Sequence, residues 1–174
     1  MNRARHAVLG AIGVTAIAAA SLQAQAQDAV AELIDAKTNP IGSAQLNQLA
    51  QGVQIVVAVS GLPAGKHALH IHETGACEPP FESAGGHFNP TDAEHGWDSP
   101  GGPHAGDLPN IYVGEGAVQI EYITDRVTLE DGATSLFDDD GSAIVIHQGQ
   151  DDYVTEPAGD AGMRLACGVI EKSG

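Results

Sequence analysis

The sequence predicts an all-β domain, a sandwich or a barrel, from three observations. Several short runs are rich in β-branched side chains or alternate apolar with polar residues, as in QIVVAV at 54–59 and AVQIEYIT at 117–124. Gly, Pro, Asn and Asp separate these runs and provide turns. No segment after the N-terminal region has the apolar period of an amphipathic helix. Short strands with turn residues between them are typical of sandwiches and barrels.

The first 26 residues have the three parts of a secretory signal peptide. A short basic start with Arg3 and Arg5 precedes an uncharged, alanine-rich run at 7–22, and AQA at 24–26 fits the pattern that signal peptidase cleaves. The alternative is a membrane anchor, but the run has 16 residues and a helix needs about 20 to cross a bilayer. We therefore predict a signal peptide at 1–26 and one domain at 27–174.

Six strand-like runs follow the predicted cleavage site. They are bounded by turn residues and lie at 29–36, 43–49, 54–59, 117–124, 143–147 and 164–170. The first two runs are expected to form an opening hairpin. No internal repeat and no second domain is apparent in the sequence.

Two stretches lack a strand pattern, at 73–116 and, more briefly, at 151–162. A structureless loop as long as the first is unusual in a compact domain unless a disulfide or a metal ion orders it. An exported chain with two cysteines, Cys77 and Cys167, is expected to form one disulfide, the alternative being two buried thiols. That disulfide would close a loop of roughly 90 residues and contribute about 4–5 kcal/mol in the chain-entropy model.

The charge composition excludes some classes of partner. The chain has 7 Lys and Arg against 23 Asp and Glu, and the leader removes two of the cations, which leaves a net charge of 5 minus 23, or −18. Phosphate binding needs clustered cations, so neither nucleic acid nor an anionic membrane surface is expected as a partner after leader removal. The composition favours solubility and bound cations instead.

Seven histidines follow the leader, and six of them lie between residues 66 and 107. Such a density indicates metal coordination, the alternative being a titrating surface. His70 and His72 stand two apart on a strand-like segment, so they point to the same face and can share a metal. His147 ends another strand and can converge on the same site.

The long loop holds a second candidate set of metal ligands: His87, His95, His104 and Asp107. Three imidazole nitrogens and one carboxylate oxygen form a closed four-coordinate set that is typical of zinc. A site of imidazoles alone suits copper, which binds most tightly among the divalent first-row metals. These patterns predict a zinc site, whereas copper, and a second metal, do not follow from them alone.

The sequence resembles the copper–zinc superoxide dismutase family over nearly all of the predicted domain. The matching segments keep the family order and separation; they are HALHIHETGAC (67–77), GGHFNP (85–90), EHG (94–96), PHAGDLPN (103–110), IVIH (144–147), DD (151–152) and AGMRLACGVI (161–170). The resemblance implies an eight-stranded Greek-key β-sandwich or barrel with long metal-binding loops. It also implies one copper and one zinc ion per chain.

The same resemblance implies a role for each metal-ligand candidate. The copper ligands would be His70, His72, His87 and His147. The zinc ligands would be His87, His95, His104 and Asp107. His87 would bridge the two metals, whereas His67 matches a family histidine that is structural and binds no metal.

Other residues match family positions outside the ligand sets. Asp151 would accept hydrogen bonds from His70 and His95, which fixes the tautomer and orientation of both rings. Arg164 would guide superoxide to copper, since a guanidinium offers a permanent charge and a rigid fork of donors. Cys77 and Cys167 match the disulfide of the family, which ties the long loop to the last strand.

The implied function is the dismutation of superoxide to dioxygen and hydrogen peroxide by a two-step copper redox cycle, with His87 as proton carrier. The leader implies the periplasm or another extracytoplasmic space. The alternative is a non-catalytic module that binds or delivers copper or zinc, but relatives of that kind usually lack copper ligands or the arginine. Family members occur as monomers and as homodimers, so a homodimer stays an open alternative.

Overall fold

A computed structural model describes residues 28–174, and within this range it contains nine β-strands and a 3₁₀ turn at Glu82–Ala84. The strands are Ala29–Asp35 (β1), Pro40–Leu49 (β2), Gly52–Val59 (β3), Gly65–His67 (β4), Leu69–His72 (β5), Ile111–Val113 (β6), Val118–Thr124 (β7), Ala143–His147 (β8) and Arg164–Lys172 (β9). The predicted all-β class is confirmed. The predicted signal peptide at 1–26 lies outside the described residues. Across 28–174 there is no helix long and apolar enough to cross a membrane.

Seven strands form one antiparallel sheet in the order β5-β8-β9-β1-β2-β3-β7, and β4 pairs with β6. The first strand lies between the second and the last, so the chain crosses over between non-consecutive neighbours as in a Greek key. The predicted opening hairpin is confirmed by the antiparallel pairing of β1 with β2. The sheet curls around one main core, which agrees with the predicted sandwich or barrel.

The strand count differs from the predicted eight only at Ala68. The amide of Ala68 donates to Gly149 O at 2.7 Å, and its carbonyl accepts from His147 N at 3.0 Å. The chain thereby changes its pairing partner from β6 to β8, and β4 and β5 are counted separately although one residue separates them. Counted as one strand, they give eight.

Strand periodicity determines which side chains enter the core. Val53, Ile55, Val57 and Val59 alternate along β3, and all four are buried in the main apolar cluster. On β5 the alternation places Leu69 and Ile71 in that cluster, and it turns the two intervening histidines toward the opposite face. The core packing of β5 therefore fixes the direction in which its histidines point.

The predicted disulfide between Cys77 and Cys167 is present, with a Cα–Cα distance of 5.6 Å. Cys167 lies on β9 and is fully buried next to Phe81 and Val145. The bond joins the start of the long loop to the last strand across 90 positions of sequence. One end of the long loop is thereby fixed to the sheet.

Candidate metal centre

Two strands and the long loop bring four histidines together. One ring nitrogen of each lies within 4.8 Å of those of the others, and all four side chains are buried: His70, His72, His87 and His147. Two of them come from β5, one from the end of β8 and one from the long loop. We call this set the first group, and it contains the residues that the sequence predicts for copper.

A second buried group consists of His87, His95, His104 and Asp107, again with one ligand atom each within 4.8 Å of the others. His87 belongs to both groups. His67 belongs to neither, because its two ring nitrogens lie 2.9 Å from the carbonyl oxygens of His147 and Pro63. Each residue that the sequence predicts as a metal ligand therefore lies in the group predicted for it.

The long loop is held against β5 by main-chain bonds, and these bonds place its ligand candidates. Ile71 N donates to Gly106 O at 2.9 Å, and Phe88 N donates to Ile71 O at 2.9 Å. A side chain at position 106 could not be accommodated, because its Cβ would lie 2.2 Å from Ile71 O. This glycine allows the loop to approach β5 so closely that His87 and Asp107 face its histidines.

In the first group, the ring nitrogens that point away from the centre are held by acceptors. His70 Nε2 donates to Asp151 Oδ2 at 2.8 Å, and His72 Nδ1 donates to Gly85 O at 3.0 Å. His147 Nδ1 faces Gly162 O at 3.3 Å. A neutral imidazole has one N–H, so the nitrogen facing the centre carries a lone pair in each ring. Lone pairs that converge in this way are suited to a metal ion.

Several of the inward ring nitrogens have no hydrogen-bond partner. Within 28–174, six buried side-chain nitrogen or oxygen atoms lack a hydrogen-bond partner, and three of them belong to this centre: His70 Nδ1, His87 Nε2 and His95 Nδ1. The last of these has a charge contact instead, at 3.2 Å from Asp107 Oδ2. Buried polar groups are normally hydrogen-bonded, because an unpaired one costs about 1–3 kcal/mol. Such a concentration of unpaired nitrogens fits metal ions in both groups.

Asp107 is oriented by the main chain around it. Its Oδ2 accepts hydrogen bonds from Gly96 N at 2.9 Å and His104 N at 3.0 Å. Its Oδ1 faces His87 Nδ1 at 2.7 Å, inside the second group. One carboxylate oxygen therefore fixes the side chain, and the other is available as a ligand.

Asp151 connects the two groups. Its Oδ2 accepts from His70 and its Oδ1 accepts from His95 Nε2 at 3.0 Å, as the sequence predicts. Its main chain is held by Asn110, whose side-chain amide donates to Asp151 O at 2.9 Å and whose side-chain oxygen accepts from Asp151 N at 2.7 Å. The main chain at Gly159 lies so close to this carboxylate that no side chain fits there, since a Cβ would lie 1.9 Å from Asp151 Oδ1.

Burial and neighbouring charges shift the ionisation of the centre. Burial lowers the pKa of His147 to about 3, and it lowers the pKa of His87 to about 4. Burial also acts to lower the pKa of His95, but the hydrogen bond to Asp151 and the negative charges of Asp107 and Asp151 outweigh it and raise that pKa to about 10. Burial acts to raise the pKa of both carboxyl groups, but bonds from the histidines hold it far below the usual range. At neutral pH, His87 and His147 are therefore uncharged and both carboxylates are ionised.

An open pocket of about 410 Å³ leads to the first group. Its walls include three of the four histidines and the guanidinium of Arg164, which donates to Phe81 O at 2.5 Å and Gly85 O at 2.6 Å. The same walls carry three carboxylates, on Glu73, Asp92 and Glu156. Arg164 is thus oriented by loop carbonyls and stands at the pocket, where an entering anion would meet it.

Two residues that bond to the centre have no role in the sequence prediction. Asn110 lies at the end of the segment PHAGDLPN, where an asparagine is typical of a turn. Glu156 accepts a hydrogen bond from the main-chain N–H of His95, at a distance of 61 positions in sequence. The sequence carries no pattern that pairs either residue with its partner.

Comparisons with known proteins agree with this arrangement. A family model described as copper/zinc superoxide dismutase (SODC) matches residues 40–170. Superoxide dismutase [Cu-Zn] 2 of Aquifex aeolicus is 51% identical over 144 residues, which cover 80% of this chain and 84% of that protein. Superoxide dismutase-like protein YojM of Bacillus subtilis is 39% identical over 144 residues, 80% of this chain and 74% of that protein.

Solved structures share the fold. A SOD-like protein from Bacillus subtilis has a TM-score of 0.77 and 38% identity, over 80% of this chain and 96% of that one. Cu/Zn superoxide dismutase from Brucella abortus has a TM-score of 0.66 and 25% identity, over 82% of this chain and 98% of that one.

Proposed function

Since the chain belongs to the copper/zinc superoxide dismutase family, we propose that it is an enzyme that converts superoxide into dioxygen and hydrogen peroxide. The observation that carries the proposal is the pair of buried ligand groups that share His87, with unpaired ring nitrogens directed into both. Copper would be held by His70, His72, His87 and His147. Zinc would be held by His87, His95, His104 and Asp107.

The two metals would have different tasks. Superoxide gains or loses a single electron, and copper, when bound, supplies the reversible one-electron change that the reaction requires. Zinc has no redox chemistry, and its closed set of four protein ligands is typical of a structural site. The zinc-side residues would therefore orient His87 and the loops around the pocket.

The protein residues would bind the substrate and supply protons. Two superoxide anions and two protons give one dioxygen and one hydrogen peroxide. Arg164 attracts the anion into the pocket and orients it through its donor fork. With Nδ1 acting as a ligand in the second group, His87 would be neutral with a proton at Nε2, the unpaired nitrogen of its ring. That proton is then donated to the reduced substrate.

The compartment would be the periplasm or another extracytoplasmic space. The disulfide between Cys77 and Cys167 supports this location, since such bonds persist in oxidising compartments. We propose that residues 1–26 are removed on export and that 27–174 is the active domain.

The test is the catalysed decay of superoxide by the processed protein, followed by pulse radiolysis. A sample with one copper and one zinc ion per chain is compared with a matched sample that carries zinc alone. We expect fast decay in the first sample and only the spontaneous rate in the second. No acceleration at full occupancy of both metals would instead favour a non-catalytic copper- or zinc-binding module.

A further inference from the structure

Glu156 contacts the second ligand group from outside both sets of candidate ligands. Its Oε1 accepts a hydrogen bond from the main-chain N–H of His95 at 2.6 Å. Glu156 lies in the second irregular stretch, whereas His95 lies in the long loop. Near this point the two segments are also joined by a main-chain hydrogen bond, which Asp98 N donates to Tyr153 O at 3.0 Å. The carboxylate therefore bonds the main chain of a metal-ligand candidate directly to the neighbouring loop.

The position of His95 depends on three attachments. Its ring is held at Nε2 by Asp151, and the following residue, Gly96, donates to Asp107 Oδ2 at 2.9 Å. Its own amide is held by Glu156. An ionised acceptor makes a hydrogen bond about twice as strong as a neutral one, so the Glu156 bond is a substantial part of this support.

We propose that Glu156 is a positioning residue for His95, through which the second irregular stretch holds the zinc side of the centre in place. This inference rests on the proposed binding of zinc by His95. Without the bond, the main chain at His95 is free to separate from the neighbouring loop, and zinc leaves faster. Partners that orient a metal ligand typically change metal affinity by about 10–100-fold when they are removed. Glu156 is exposed to solvent, so we expect a change near the lower end, about tenfold.

A positioning role and a simple charge effect predict opposite orders of zinc retention for two conservative variants. Glu156→Gln keeps the length and an acceptor oxygen but loses the charge. Glu156→Asp keeps the charge but is one methylene shorter, so its carboxylate does not reach His95 N. If the hydrogen bond matters, Gln preserves zinc retention and Asp behaves like Glu156→Ala. If only the negative charge at the pocket matters, Asp preserves it and Gln behaves like Ala.

The experiment measures zinc dissociation from the metal-loaded, processed protein into an excess of a chromogenic chelator, with copper retention recorded on the same samples. We expect zinc to leave about tenfold faster from the Ala and Asp variants and within about threefold of the parent rate from Gln. Two matched controls should keep the parent rate. Val154→Ala truncates an exposed side chain of the same loop, and Asp92→Asn removes a carboxylate from the same pocket.

The outcomes separate this inference from the proposed function. Zinc release at the parent rate from Glu156→Ala overturns the inference, and so does an Asp variant that retains zinc while Gln does not. Because no superoxide is used, either result leaves the activity proposal unaffected. A parent protein that binds no zinc overturns the proposed zinc site, and the inference fails with it.

Discussion

Replacing Asp151 with Asn is the most informative single substitution, because one carboxylate orients a histidine of each ligand group. The buried Asp151 carboxylate accepts from His70 Nε2 at 2.8 Å and from His95 Nε2 at 3.0 Å. An amide has one acceptor oxygen, so one of the two ring N–H groups must face an amide N–H instead. That ring turns or changes tautomer, and its inward nitrogen no longer presents a lone pair to the centre.

The size of the effect follows from the bonds that are lost. A hydrogen bond to a charged group contributes about 1.5–3 kcal/mol, and each 1.4 kcal/mol is tenfold in affinity. We therefore expect Asp151→Asn to weaken zinc binding by about 10–100-fold and to change the electronic spectrum of bound copper through His70. The main chain of residue 151 should keep its position, since Asn110 bonds to its amide and carbonyl rather than to its side chain, and an amide oxygen at the Oδ1 position can still accept from Tyr153 N.

The assay is competition for both metals against a chelator of known affinity, with Asp152→Asn as the matched control. Asp152 carries the adjacent carboxylate, which is exposed and accepts from Val154 N and Thr155 N instead of from a histidine. Both variants lose one negative charge, so the control accounts for the change in net charge of the protein. Equal metal affinities in the two variants would refute the reasoning.

Three further predictions concern other parts of the molecule. Replacing both cysteines with serine should lower the free energy of unfolding of the metal-free protein by about 4–5 kcal/mol, and an unchanged denaturant midpoint would contradict this. Arg164→Ala should reduce kcat/KM for superoxide about tenfold with both metals retained, whereas an unchanged value would mean that Arg164 only supports the loop carbonyls. Because the raised pKa of His95, about 10, keeps its ring protonated at neutral pH, zinc must displace that proton. Zinc affinity should therefore rise about tenfold per pH unit between pH 6 and 9 and flatten above the pKa of His95. Calorimetry in buffers of different ionisation enthalpy should detect the released proton, and an affinity that does not change with pH would exclude this proton displacement.

The longer strands could be predicted from the sequence because burial selects apolar and β-branched side chains, at alternate positions in β3 and at nearly every position in β8. The run at 143–147 coincides with β8, and the run at 54–59 lies within β3. The three-residue strands β4 and β6 were missed, since a segment so short shows no alternation and β6 lies within the long loop. Their pairing depends on the fold of the whole loop rather than on their own residues.

The ligand candidates could be predicted for a different reason: histidine is rare enough that its spacing is informative. The alternation of His70 and His72 around Ile71 gave the shared face directly, and the structure places Ile71 in the core. The bonds of Asn110 to Asp151 and of Glu156 to His95 could not be predicted in this way. Each joins two single polar residues, 41 and 61 positions apart, and no periodicity links them.

These contacts explain how a loop without regular structure can present ligands at defined positions. A long irregular segment loses much conformational entropy when it becomes ordered, and β-sheet pairing does not compensate for this loss. The disulfide fixes the start of the long loop, and the Asn110 side chain ties its end to the main chain of Asp151. The outward ring nitrogens are satisfied by these loops, whereas inward nitrogens such as His70 Nδ1 and His87 Nε2 have no partner. The protein chain therefore orients the ligands in advance, and metal binding supplies the partners that the fold leaves out.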